Sequence, residues 1–138
     1  MENPETTDTE ATKREPSIAV PMNTVQKAAL AAKLGDDLKA EDILILDVRK
    51  ICNFTDYFVI VTCASSLQLR ALAARVLRTF RDRGVRALSS SGQTGSAWHA
   101  VDFGDFVLHV FTTDARNYYR LDKLWADGKK IDWRKHIE

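Results

Sequence analysis

Between residues 97 and 125 the chain packs two strand-length apolar runs, a tight turn and a helix entry into one short span, and this limits the folds open to it. Ala97-Trp98-His99-Ala100-Val101-Asp102-Phe103 and Phe106-Val107-Leu108-His109-Val110-Phe111 meet across Gly104-Asp105. Glycine enters positive φ without a Cβ penalty, so the dipeptide predicts a two-residue turn and the runs a β-hairpin. Beyond it, Thr113 or Asp114 caps a helix in which Tyr118, Leu121, Leu124 and Trp125 recur at three- and four-residue spacing. That stripe is expected to face inward, and Gly128 stands where a helix stops.

The segments before the hairpin repeat the strand and helix grammar. Ile43-Leu44-Ile45-Leu46-Asp47-Val48 and residues 56–63 (DYFVIVTC) are apolar at consecutive positions, as strands covered on both faces are. Residues 49–55 are too few for a crossover helix, so this pair is expected to be antiparallel. Ser65 or Ser66 then caps a helix reaching Gly84, with Leu69, Leu72, Ala73, Val76, Leu77 and Phe80 buried. A third strand at residues 85–90 completes a crossover unit, which makes its two strands parallel and right-handed. Asn23 or Thr24 caps an earlier helix through Leu38, striped by Leu30, Leu34 and Leu38, with Gly35 a weak point costing about 1 kcal/mol relative to Ala. Strands and helices mixed through 138 residues, 45% of them hydrophobic, describe one α/β domain at residues 23–128. Residues 1–22 are rich in Glu, Thr, Pro and Ser and are expected to form a flexible tail. Residues 129–138, charged around Ile131, Trp133 and Ile137, are assigned to a C-terminal tail whose docking on the core or a partner is left open.

Composition removes several functions. A formal net charge of +1 excludes the basic footprint of a protein living on nucleic-acid phosphates. Arg70, Arg75, Arg78, Arg81 and Arg83 read as a solvated helix face, because no aromatic residues alternate with them. Cys52 and Cys63 lack a C-x-x-C spacing and a neighbouring His pair, so both are expected to be reduced thiols rather than zinc ligands or a disulfide. No apolar run reaches the roughly 18 residues of a membrane span and no leader pattern opens the chain, which leads to a cytoplasmic expectation. Residues 89–96 carry two glycines but no Gly-Lys-Ser/Thr ending, and a strand rather than a helix follows, so they are not a phosphate loop. His99 and His109 have no third ligand and read as buried or hydrogen-bonded histidines; no cofactor is expected.

Two sets of residues carry functional weight. Trp98, at a strand end beside the small-residue loop, reads as core or as an interface hot spot. Asp102 and Asp105 flank the turn, with Asp47 and Asp56 at neighbouring strand ends. Such carboxylates hold Mg²⁺ for nucleotidyl transfer or shape turns. The Mg²⁺ reading lacks the Asp-x-Asp or Glu-x-Asp spacing near Ser65 and Ser66 that aims two carboxylates from one strand face. Phe111, Arg116 and Tyr119 cluster after the second hairpin strand; Tyr118 rather than Tyr119 is given to the packing stripe. Arg116, near a helix start, needs an acidic partner or a binding role to offset the macrodipole.

Three segments, TDYFVIVTCASSLQ (residues 55–68), GSAWHAVDFGDFVLHVF (residues 95–111) and RNYYRLDKLW (residues 116–125), together resemble the ribosomal silencing factor, or Iojap, family over residues 24–125. Two departures stand out: Ala64 where the family usually has Gly, and Ser91-Gly92 where it has Glu-Gly, which removes any acidic side chain from that loop. The resemblance implies a mixed five-stranded sheet flanked by helices, similar to nucleotidyltransferases in topology but without their catalytic carboxylates. It also implies a non-enzymatic protein that binds the large ribosomal subunit at its universal ribosomal protein fourteen. There it would block small-subunit joining sterically and repress translation when nutrients are short. Trp98 matches the family's partner-binding Trp, and Asp102, Asp105, Phe111, Arg116 and Tyr119 complete the expected partner-binding set. The resemblance gives the aspartates a further role, an acidic rim that meets Lys and Arg of a basic partner. A peripheral ribosomal RNA contact and a homodimer of the free protein remain open as further partners, and a Mg²⁺-dependent nucleotidyltransferase-like enzyme is the alternative.

Overall fold

The computed structural model describes residues 21–92 and 97–137, so the expected N-terminal tail lies, apart from Pro21 and Met22, outside the described residues. The elements run α1 (Thr24–Asp37), β1 (Glu41–Asp47), β2 (Tyr57–Cys63), α2 (Ser66–Asp82), β3 (Ser89–Ser91), β4 (Trp98–Asp102), β5 (Phe106–Thr112), α3 (Thr113–Tyr119), α4 (Leu121–Leu124) and β6 (Lys129–Ile131). A short 3-10 helix, Trp133–His136, closes the described chain. The strands form one mixed sheet in the order β3-β4-β5-β2-β1-β6. Only the central pair, β2 with β5, is parallel.

The helices start where their caps dictate. At α1, Asn23 accepts from the Gln26 amide while the Gln26 side chain accepts from the Asn23 amide, each at 2.9 Å, a reciprocal capping box. Ser65 caps α2 through the Gln68 amide at 3.1 Å. The Gln68 side chain then donates to the Leu38 carbonyl at 2.7 Å, tying the start of α2 to the end of α1. Gly104, at φ +92°, makes the hairpin turn, and Phe103 donates to Phe106 across it at 3.0 Å.

Strand alternation divides the core in two. One face of the sheet carries Ile45, Val59, Val61, Val101, Phe106, Leu108 and Val110, packed under α1 and α2. The other carries Leu46, Phe58, Ile60, Val107 and Phe111, with Trp98, Leu121 and Trp125 partly buried against them. β2 is buried along its whole length, as its unbroken apolar run requires.

Five local expectations change. The sheet has six strands rather than five, because Lys129–Ile131 pairs antiparallel with β1 and Trp133, only 7% exposed, joins the main core. Residues assigned to a C-terminal tail thus supply an edge strand, whose Lys-Lys-Ile composition gives no local strand signal. β3 is shorter than residues 85–90; it runs parallel to β2 as the crossover requires, but β4 and β5 lie between them. β1 is covered on both faces only near its end, since Glu41 and Asp42 are exposed and Asp42 adopts φ +49° at an irregularity in the pairing. The α1 stripe is mostly small residues, Ala28, Ala29, Ala31, Ala32 and Gly35, beside buried Leu34, with Leu30 and Leu38 only half-buried against the core. A Cβ on Gly35 would stand 3.4 Å from Val61, so small residues let this helix lie close on β2. Finally, the single helix expected after the hairpin starts one residue earlier, at a Thr112 cap, and breaks at Arg120, which sits at φ +51°. Of the expected stripe, Tyr118 and Leu124 are exposed, while Leu121 and Trp125 are half-buried against the second face.

Candidate partner-binding face

Across the second sheet face, rings touch one another in a chain. Trp98 and Phe111 sit directly opposite in the β4–β5 register, with centroids 5.0 Å apart. Tyr119, carried over them by α3, lies 4.7 Å from Trp98 and 6.2 Å from Phe111. His109 links this group to Phe58 of β2 at 5.2 Å, and Phe58 meets Trp125 at 5.2 Å and the exposed Phe54 at 6.0 Å. The packing assignment of the two tyrosines is therefore reversed: Tyr119 covers the Trp98 indole, while Tyr118, 79% exposed, touches only Tyr119's edge among the ring contacts of the described residues.

Two polar features hold this face in place. Trp98 Nε1 donates to His109 Nδ1 at 3.1 Å, and burial pushes the His109 imidazole down to about 4, so its ring is neutral and free to accept. Arg116 reaches under α3, donating from Nη1 to Thr62 Oγ1 at 2.7 Å and to the Asp42 carbonyl at 2.9 Å, and from Nε to Asp122 at 3.4 Å. The acidic partner expected for it is Asp122, and its side chain is 11% exposed.

The structure brings Trp98, Phe111 and Tyr119 together, with Phe111 fully buried as the floor, Trp98 half-buried above it and Tyr119 exposed. Asp102 shares their face by alternation but lies at the far end of β4, where its Oδ1 accepts from the Gly104 amide at 2.7 Å. Asp105 turns to the opposite side of the sheet, accepting from Lys27 at 2.7 Å and Thr24 at 3.1 Å on α1. The two carboxylates that a Mg²⁺ site would need are thus engaged on different sides. His99 and His109 also point to opposite faces, since Ala100 rather than His99 pairs with His109. His99 bonds Ser90 at 2.7 Å. Sequence reasoning gave no functional weight to His109, Phe58 and Phe54. Their signal was the alternation that sets His109 and Phe111 on the face of Trp98.

With this face in view, comparison with known proteins is decisive. The family described as "Ribosomal silencing factor during starvation" matches residues 21–138. The chain belongs to the ribosomal silencing factor family. It is 39% identical over 111 residues to a ribosomal silencing factor of Bacillus subtilis, covering 80% of this chain and 94% of that one. It is 32% identical to mouse mitochondrial assembly of ribosomal large subunit protein 1, over 63% of this chain and 40% of that protein. A crystal structure of a Chromobacterium violaceum protein superposes with a TM-score of 0.73 at 32% identity, covering 80% of this chain and 92% of that one. The family resemblance read from residues 24–125 extends through the C-terminal residues that form β6.

Proposed function

We propose that this silencing factor docks on the large ribosomal subunit through the ring-covered sheet face and blocks joining of the small subunit by occupying its place. The observation that carries the reading is a contiguous aromatic surface, Trp98 and Tyr119 over a buried Phe111, on the face away from α1 and α2. Large aromatic side chains held on a firm floor are the usual energetic centre of an interface. Asp102 forms an acidic rim to steer a basic partner, with the fourteenth ribosomal protein of the universal large-subunit numbering as that partner. Arg116 and Asp105 act from within, the first fixing α3 and the second fixing the hairpin turn to α1. The large-subunit name of the mouse relative supports this choice of particle.

Centrifugation of the purified protein with separated ribosomal subunits tests the proposal: the protein travels with large subunits and reduces their joining to small ones. Trp98→Ala weakens that association more than about tenfold, equivalent to about 1.4 kcal/mol, while leaving the fold intact. A protein that stays at the top of the gradient refutes the reading. The exposed Phe54, Tyr118 and Leu124 also favour self-association of the free protein, which light scattering measures.

A further inference from the structure

The indole of Trp98 has one polar atom, so whatever receives its N–H selects the plane in which the ring is presented. The receiver is His109 Nδ1, at 3.1 Å. This bond does not follow from strand pairing alone, because Trp98 stands opposite Phe111 and His109 opposite Ala100. It runs diagonally across the hairpin and draws the indole back over β5, with the two ring centroids 5.8 Å apart.

His109 is itself held. Phe58 meets its ring edge-on at 5.2 Å from β2, Phe111 stacks on it at 17° and 6.2 Å, and the residue is 9% exposed. An imidazole wedged in this way presents one nitrogen in one direction. For Nδ1 to accept, the proton must reside on Nε2, and burial keeps a second proton off the ring at neutral pH. Tyr119 then closes on the indole from α3.

We infer that His109 is a positioning residue for partner recognition: it fixes the Trp98 indole in the orientation offered to the ribosomal partner, without touching that partner. The inference rests on the docking face proposed above. A side chain already set in its bound orientation loses less freedom on binding, which is worth about two- to tenfold in affinity for one large side chain.

The full chain, with Asn, Gln or Leu at position 109, separates positioning from simple packing. Asn places its amide oxygen near the site of Nδ1, Gln carries its amide farther out near Nε2, and Leu fills the space without an acceptor. Affinity for purified large ribosomal subunits is measured beside the solvent exchange of the Trp98 indole N–H, assigned by its loss in Trp98→Phe. His109→Leu should bind about three- to tenfold more weakly with faster indole exchange, and His109→Asn should restore both to within about twofold. If His109→Leu does not fold, the contrast between Asn, close to wild type, and Gln, weakened, carries the test. Equal weakening by Asn, Gln and Leu, or normal binding by Leu or by Gln, overturns the inference. Normal binding by Trp98→Ala would instead overturn the docking face, and unchanged indole exchange in His109→Leu would separately overturn the hold of His109 on the indole.

Discussion

Lowering the pH below about 6.5 should destabilise this protein through His109. In an unfolded chain the imidazole titrates near 6.5, whereas in the native fold burial beside Phe58, Trp98 and Phe111 holds it at about 4, against a weaker opposite pull from Asp102. Above pH 6.5 the ring is neutral in both states and adds no pH dependence. Below that, the unfolded chain takes up a proton that the native fold refuses. Stability then falls by up to about 1.4 kcal/mol per pH unit, and the loss levels off below about pH 4, where the native ring protonates too. A gap of about 2.5 in pKa amounts to about 3 kcal/mol, a sizeable part of the roughly 5–15 kcal/mol of a small domain. Urea unfolding of wild type and His109→Asn at pH 7.5, 6.5, 5.5 and 4.5 isolates it, since every other group titrates in both proteins. The difference in stability between them should move by about 2–3 kcal/mol in favour of the Asn variant between pH 7.5 and 4.5. Parallel profiles, within about 0.5 kcal/mol, would refute the burial argument for this ring.

Three further outcomes follow from packing. Trp133→Ala should cost about 3–5 kcal/mol and lower the thermal midpoint by at least about 10 °C, because the indole is 7% exposed within the α1–α2 core; a shift below about 3 °C would return the C-terminal residues to the status of a tail. Gly104→Ala should cost about 1–2 kcal/mol in urea unfolding, since the turn holds φ +92° and the new Cβ would stand 3.1 Å from Leu88; an unchanged midpoint would contradict the turn geometry. Cys63, fully buried with its thiol pushed up to about 11, should resist a thiol reagent at pH 8 in the native protein while the half-buried Cys52 reacts; equal rates would refute the burial.

Elements whose signals are local were readable from the residues. Asn23 and Ser65 sit just before helical patterns, the run from Tyr57 to Cys63 has no polar break long enough to expose a face, and Gly104 marks its own turn. What escaped depends on contacts distant in the chain. An edge strand of Lys-Lys-Ile acquires its conformation by pairing with β1, more than eighty residues earlier. The break at Arg120 places a non-glycine residue in left-handed backbone, which no residue preference announces, and the packing of Tyr119 rather than Tyr118 depends on where α3 lies over Trp98. In the candidate site, the pairing of Trp98 with Phe111 was legible because the hairpin register sets them opposite, whereas helix spacing pointed to Tyr118 rather than Tyr119 as the ring that packs. The inward duties of Asp105 and Arg116 were not, because their partners Lys27 and Thr62 belong to elements that only the tertiary fold sets beside them.

The aromatic surface follows from an imbalance in how the sheet is covered. Helices α1 and α2, 14 and 17 residues long, are about 21 and 25 Å in length and match the roughly 23 Å of a seven-residue strand, so together they close one face. On the other face α3 and α4 have 7 and 4 residues and are separated by the turn at Arg120, so no helix there runs the length of a strand. Leucine or valine left in that gap would face water with nothing to fix it. Rings cover more area per residue, steady one another edge to face, and in Trp98 carry an N–H that a neighbouring histidine secures. The result is a face firm enough to remain folded when bare and apolar enough to gain from being covered. A longer α3 would make the domain more self-sufficient and bury the indole on which the proposed docking depends.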